Sequence, residues 1–266
     1  MTSLPPPQPG ESSPRPGWFA RLGGAILFYT RLPLPPGWEP RFEGIAPLSP
    51  VVGLLLGLGL VAVDSALGQL GMSILTRSAL VVGLGLWLTG GLHLDGAMDT
   101  ADGLAVMEPQ RRLDAMADSH AGAFGVMAAI AILGLKTLAL AELATGRGWV
   151  ITAALVWGRW GQVVAIARYP YLRAEGKGAL HREHMRSPQD WLLGLTLALA
   201  LHGLWGWQHP HQISLVGISL GGGLGFALAT GAWFHHRLGG HTGDTYGATV
   251  EWTETLLLCL ATLALV

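Results

Sequence analysis

Cysteine is nearly missing from this chain. Cys259 stands alone among 266 residues, which excludes an intrachain disulfide and a zinc–thiolate centre. Charge is scarce as well, at 12% Asp, Glu, Lys and Arg, where soluble domains carry about a quarter. Neither sign dominates. The formal net charge of −1 argues against a nucleic-acid partner. The first 17 residues, MTSLPPPQPGESSPRPG, lack the apolar stretch of a signal peptide; they are proline-rich, polar and expected to be disordered. What remains is apolar: half of the residues are hydrophobic and the mean hydropathy is +0.43. The expected fold is all-α, a polytopic helical bundle of about six to eight membrane helices, with residues 18–266 forming one membrane-embedded domain.

Apolar runs predict spans at Leu48–Leu70, Ser78–Met98, Phe124–Leu143, Trp149–Ala167, Trp191–Trp207 and Ile213–Phe234, with a closing run at Leu256–Val266. Trp18–Thr30 is too short to cross a core of roughly 30 Å at about 1.5 Å per residue. Gly53-x-x-x-Gly57 suits close helix packing, and the glycines from Gly221 to Gly225 read as another packing surface. Asp64 is expected to mark the far interface and Lys136 to snorkel to the surface. Arg159, isolated in an apolar run, is expected to pair with carboxylates or a phosphate.

The most informative stretch is GGLHLDGAMDTADG, Gly90–Gly103. Asp95, Asp99 and Asp102 follow at i, i+4 and i+7, so a helix places all three carboxylates on one face. Their expected position at the C-terminal end of the second span also opposes the helix dipole. Stacked like charges beside hydrocarbon are costly unless a cation neutralises them. Oxygen-only ligands suit a hard ion, Mg²⁺ before Ca²⁺ or Mn²⁺. The plain alternative is a solvated acidic helix end.

Three further polar stretches follow. Pro109–Asp118 predicts a short amphipathic helix on the membrane surface, with Arg111 and Arg112, and Asp118 precedes a small-residue turn containing Gly122 and Gly125. Arg168–Asp190 is a basic loop holding Arg168, Arg173, Lys177, Arg182 and Arg186, which suit phosphate binding or attraction to anionic headgroups; His181-x-x-His184 lacks a third ligand at metal spacing. The last stretch, His235–Glu254, offers Asp244 as a helix cap, Glu251 seven residues on, and Glu254. Alternating through the spans puts these polar stretches on one side with nearly all the Lys and Arg, which predicts a cytoplasmic face. Carboxylates for Mg²⁺ and cations for phosphates on one surface suggest phosphoryl transfer at a pyrophosphate.

The residues at Gly90–Gly103, Met116-Ala117-Asp118-Ser119 with Gly122 and Gly125, and Gly239–Thr245 with Gly247 and Glu251 together resemble the three motifs of the cobalamin synthase (adenosylcobinamide-GDP ribazoletransferase) family, in order and spacing, from about Ala20 to the C-terminus. Tyr246 departs from the aliphatic residue expected there, and His120 stands where arginine is also common. The resemblance implies a Mg²⁺-dependent enzyme of the bacterial inner membrane, its active site facing the cytoplasm. A ribose hydroxyl of α-ribazole, or of its 5′-phosphate, would attack adenosylcobinamide-GDP, releasing GMP and forming adenosylcobalamin or its 5′-phosphate. On that reading Asp95, Asp99, Asp102 and Asp244 hold the metal. Asp118 or Glu251 acts as base, and Arg111, Arg112, Arg159, Arg168 and Lys177 meet phosphates. The lipid bilayer is the setting, and other enzymes of the cobalamin pathway are candidate partners. Two rival readings are a CDP-alcohol phosphatidyltransferase-like enzyme, whose aspartate spacing differs, and a cation- or proton-coupled transporter, whose carboxylates would sit at mid-membrane.

Overall fold

The computed structural model describes residues 17–174 and 176–265; the proline-rich segment 1–16 lies outside the described residues. The chain runs through α1 (Trp18–Tyr29), α2 (Ser49–Gln69), α3 (Ile74–Leu88), α4 (Leu92–Ala105), α5 (Arg112–Ala115), α6 (Ala123–Glu142), α7 (Arg147–Arg168), α8 (Lys177–Glu183), α9 (Gln189–Gln208), α10 (Ile213–Leu238) and α11 (Gly243–Ala261). The β pairing among the described residues is one parallel bridge, Tyr171 with His241. Ala46–Gln69, α6, α7 and Pro210–Leu238 are long and apolar enough to cross a membrane, and α3 with α4 adds a fifth if the bent pair is one span. The fold is thus that of an all-α polytopic membrane protein, as composition predicts, with four or five qualifying spans among the described residues in place of the six to eight expected; α9, over the predicted span Trp191–Trp207, is not among them.

One predicted span divides. The run Ser78–Met98 is not a single helix, because Gly90 and Gly91 both take left-handed backbone angles (φ 63° and 74°), which glycine adopts without steric cost. α4 leaves the direction of α3 by 89°. The break moves Asp95 from a predicted helix C-terminus to the first turn of α4, where the dipole favours a carboxylate. Pro109–Asp118 is also interrupted: a 3-10 turn at Pro109–Arg111 leads into the four residues of α5, not into an amphipathic helix.

α7 is the central helix, buried along nearly its whole length. Its neighbours reach it through glycines. A Cβ on Gly57 of α2 would lie 2.9 Å from Thr152 Cα, and one on Gly161 of α7 would lie 3.1 Å from Ala227 Cα of α10. Gly53 meets the Leu155 carbonyl, so the Gly53-x-x-x-Gly57 face is a packing surface, as its spacing predicts. In the Gly221–Gly225 run, Gly222 and Gly223 meet Leu260 and Trp157, whereas Gly221 and Gly225 face open space.

The charges inside the bundle are paired. Lys136 of α6 donates to Glu251 Oε2 and Glu254 Oε2 of α11, both at 2.7 Å, and Arg159 of α7 donates to Glu254 Oε1 at 2.8 Å. Two cations and two carboxylates tie three helices together. Lys136 therefore does not snorkel: an internal counter-charge is closer than the surface. Asp64, predicted to mark an interface, is 6% exposed and pairs with Arg147 at 2.9 Å and Arg77 at 3.1 Å. Arg147 adds a hydrogen bond to Ser78 Oγ at 3.0 Å.

Replacing Lys136 by Met leaves two buried carboxylates facing the Arg159 guanidinium alone. The expected cost is about 3–5 kcal/mol, seen as a lower melting temperature in detergent, with Lys136→Arg less damaging.

Candidate active site

The site begins where α4 and α11 cross. Gly96 has Asp244 against it: a Cβ there would lie 2.9 Å from Asp244 Cα. Three residues further along α11, a Cβ on Gly247 would lie 3.1 Å from His93 Cα. Each helix contributes the glycine that lets the other's backbone close in. That contact sets Asp244 beside the carboxylate face of α4.

The start of α11 is held rigidly. Thr242 caps it, accepting from Thr245 N at 3.3 Å while Thr242 N donates to Thr245 Oγ1 at 2.8 Å. Asp244 is therefore not the cap that the sequence suggests; it lies in the first turn, with its carboxylate free to face α4 and favoured by the dipole. His241 anchors the cap, with Nδ1 3.0 Å from Thr245 Oγ1 and Nε2 3.0 Å from the Gly231 carbonyl. The basic loop joins here: Leu172 N donates to His241 O at 2.8 Å, and Arg173 reaches Asp244 at 3.0 Å.

The second motif is bound to the first. Both oxygens of Asp102 accept backbone bonds at 2.8 Å, one from Gly122 N and one from Gly125 N. A Cβ on either glycine would collide with the Asp102 carboxylate, which explains both glycines. Asp118, in the same turn, is exposed and engaged with His120: its Oδ1 accepts from His120 N at 3.0 Å and lies 2.7 Å from the ring Nδ1. Those contacts hold Asp118 below the usual carboxylate range.

Asp99, on α4 outside the four spans, is half-buried among these groups. Burial, then the charges of Asp95, Asp244 and Asp102, raises its pKa to about 6; Arg173 opposes the shift. Four carboxylates thus act on one another from two helices. Among the described residues, no three His, Cys, Asp or Glu side chains are closed around a single point.

The structure brings together Asp95, Asp99, Asp102 and Asp244. It places Glu251 elsewhere, in the buried network with Lys136 and Glu254, so the seven-residue spacing from Asp244 does not carry it to the aspartates. Arg159 is spent on Glu254. Arg111 is exposed, 3.8 Å from Glu108, and Arg112 donates to the carbonyls of Val106 and Arg237 at 3.0 and 3.1 Å. Arg168 closes α7 and is exposed; Lys177 opens α8, and its side chain lies outside the described residues. Of the five basic residues in the Arg168–Asp190 loop, Arg173 is the one that reaches the carboxylates, carried to Asp244 by the bridge between Tyr171 and His241.

Beside the carboxylates lies a cavity of about 280 Å³ lined by Tyr29, His93, Asp95, Gln162, His181 and Tyr246, among others. Phe28, Tyr29, His93, Tyr171, His181 and Tyr246 give it aromatic walls on part of its lining. His181 meets Phe28 edge-on at 4.7 Å, and Tyr29 lies parallel to His93 at 6.1 Å.

Fold and site define a polytopic helical membrane protein with a carboxylate site where two helices cross at one end of the bundle. The sequence pattern of the CobS family, cobalamin-5-phosphate synthase, matches residues 21–262, and the chain belongs to that family. It is 56% identical to the adenosylcobinamide-GDP ribazoletransferase of Trichormus variabilis, over 91% of this chain and 96% of that one. Proteins of the same name from Synechocystis and Prochlorococcus marinus (strain MIT 9303) are 51% and 41% identical, over 89% and 92% of this chain and 92% and 96% of theirs. No solved structure matches.

The raised pKa gives a test of the cluster. Above pH 6 the Asp99 charge is resisted in the folded state and free in the unfolded one, so it lowers stability; below pH 4 it is protonated in both and the effect vanishes. In chelator, Asp99→Asn should melt above wild type at pH 7–8, with the two melting curves converging as pH falls below 4.

Proposed function

We propose that this protein transfers the adenosylcobinamide-phosphate group of adenosylcobinamide-GDP to α-ribazole or its 5′-phosphate. The observation that carries the reading is the meeting of all three motifs at one end of the bundle: Asp95 and Asp99 from the first, the Gly122–Gly125 turn on Asp102 from the second, and Asp244 from the third. The activity for which relatives at 51–56% identity are named supplies the substrates. In the reaction an O–P bond forms between a ribose hydroxyl and the cobinamide-side phosphorus. The P–O bond to GMP breaks, its electron pair leaves with GMP, and the hydroxyl gives up its proton.

The carboxylates fit a divalent cation. Their donors are all oxygen, they repel one another, and Asp99 holds its proton to about pH 6 even with Arg173 beside the cluster. Asp95, Asp99 and Asp244 would hold Mg²⁺, with Asp102 completing the set from oxygens already oriented by Gly122 and Gly125. Bound there, Mg²⁺ supplies charge to offset the pyrophosphate and the departing GMP. Arg173 is the phosphate ligand closest to the carboxylates, and Arg111, Arg112, Arg168 and Lys177 give that end its positive field. Arg159 belongs to the scaffold, and so does Glu251, whose carboxylate is committed to Lys136. With Glu251 committed to Lys136, Asp118, exposed on the turn that Asp102 anchors, is what remains of the two base candidates, and its contacts with His120 would have to open for it to take a proton. The lysine and arginine bias of the loops supports a site on the cytoplasmic side of a bacterial inner membrane.

Purified protein in detergent or liposomes, given both substrates, should release GMP and form the cobalamin product only with Mg²⁺. Asp99→Asn should lower turnover by roughly 10²-fold or more while remaining folded. Gly96→Val, which forces α4 from Asp244, should do the same with all carboxylates intact. Turnover that survives Asp99→Asn would break the site assignment and leave the reaction. A folded wild-type protein without turnover under any metal would overturn the reaction.

A further inference from the structure

The cavity beside the carboxylates has walls that do not satisfy themselves. His181, 4% exposed, lacks a hydrogen-bond partner at either ring nitrogen, and Tyr246, 2% exposed, lacks one at its hydroxyl. Gln162 donates through Nε2 to the Tyr29 hydroxyl at 3.2 Å, which leaves Oε1 facing His93 Nε2 without a well-formed bond. Buried polar atoms left this way are rare, and the three on His181 and Tyr246, with the loose Gln162–His93 contact beside them, point to a ligand that answers them. Burial lowers the His181 pKa to about 4, so at neutral pH its ring presents one donor and one acceptor.

The lining narrows the ligand class. A volume of about 280 Å³ suits one nucleoside-sized molecule and excludes a corrinoid ring. On the proposed reaction Asp95, Asp244 and Arg173 in the lining serve Mg²⁺ and the donor's pyrophosphate, which leaves Phe28, Tyr29, Gln162, His181 and Tyr246 for an uncharged group. Guanine presents several N–H donors on one edge, which carboxylates accept best, and the carboxylates here belong to the α4–α11 cluster. Ribose hydroxyls both donate and accept, as Gln162, His181 and Tyr246 require. An alkylated benzimidazole offers one acceptor and otherwise apolar edges, matching Phe28, Tyr29 and the parallel pair Tyr171–Tyr246, whose centroids lie 6.0 Å apart.

We propose that this cavity is the acceptor subsite: it binds the nucleoside, its heteroaromatic base against the tyrosines and its ribose hydroxyls on Gln162, His181 and Tyr246, within reach of Asp95. The assignment rests on the ribazole-transfer reading for the identity of the nucleoside.

The test uses the full chain in detergent. Titrated calorimetrically with α-ribazole, without donor or Mg²⁺, wild type should bind one equivalent. Tyr246→Phe, which removes only the hydroxyl, and His181→Phe, which keeps a ring against Phe28, should each weaken binding about tenfold or more. In steady state the same variants should raise KM for α-ribazole by a similar factor and leave KM for adenosylcobinamide-GDP unchanged. Unaltered acceptor affinity and KM in both variants would overturn the proposal, as would one-for-one displacement of α-ribazole by GMP. The two readings fail separately. Turnover with acceptor binding indifferent to both variants removes the subsite and keeps the reaction. Acceptor binding that both variants weaken, in a protein that never releases GMP, removes the reaction and keeps a nucleoside site.

Discussion

Everything chemical in this molecule depends on how closely α4 and α11 approach. Two glycines, Gly96 and Gly247, each take the place where a Cβ would meet the other helix's backbone. A few tenths of an ångström at such a contact cannot be absorbed, because the colliding atoms are main chain on both sides. The crossing turns a row of carboxylates on one helix into a cluster with Asp244 of another. It also sets the wall of the nucleoside-sized cavity, since His93 and Gly96 lie on one side of it and Asp244, Tyr246 and Gly247 on the other.

The crossing is braced from below and from the side. Beneath it, Lys136, Arg159, Glu251 and Glu254 join α6, α7 and α11 through short charged hydrogen bonds in the apolar interior. Such a network contributes little net stability over an apolar core, but losing any member leaves a buried charge unanswered. It accordingly favours one arrangement of the three helices over their neighbours. To the side, the 89° turn at Gly90 and Gly91 lets α4 lie across the end of the bundle instead of continuing α3. Asp102 then reaches the backbone of the Gly122–Gly125 turn and fastens the next stretch of chain.

Charge is distributed by the same logic. At the end opposite the site, Asp64 is neutralised by Arg147 and Arg77, a closed pairing. At the site end the carboxylates outnumber the cation that faces them, and Asp99 shows the strain as a raised pKa. An ion pair that closes on itself serves packing; an excess of one sign at an open end serves a ligand.

The sequence by itself determined the membrane class, the helices that follow long apolar runs, the Gly53-x-x-x-Gly57 face and the carboxylate row at Asp95, Asp99 and Asp102. Each is a local property: hydropathy over about twenty residues, or a spacing on one helix. Only the tertiary structure decided which distant groups meet. It put Glu251 with Lys136 and not with the aspartates, brought Arg173 to Asp244, made Thr242 the cap in place of Asp244, and assembled the cavity from Gln162, His181 and Tyr246 on three separate helices. The cap is the exception, since Thr242 and Thr245 lie three residues apart; the other contacts have no signature in spacing along the chain, because they are set by how separate helices cross and by the bridge between Tyr171 and His241.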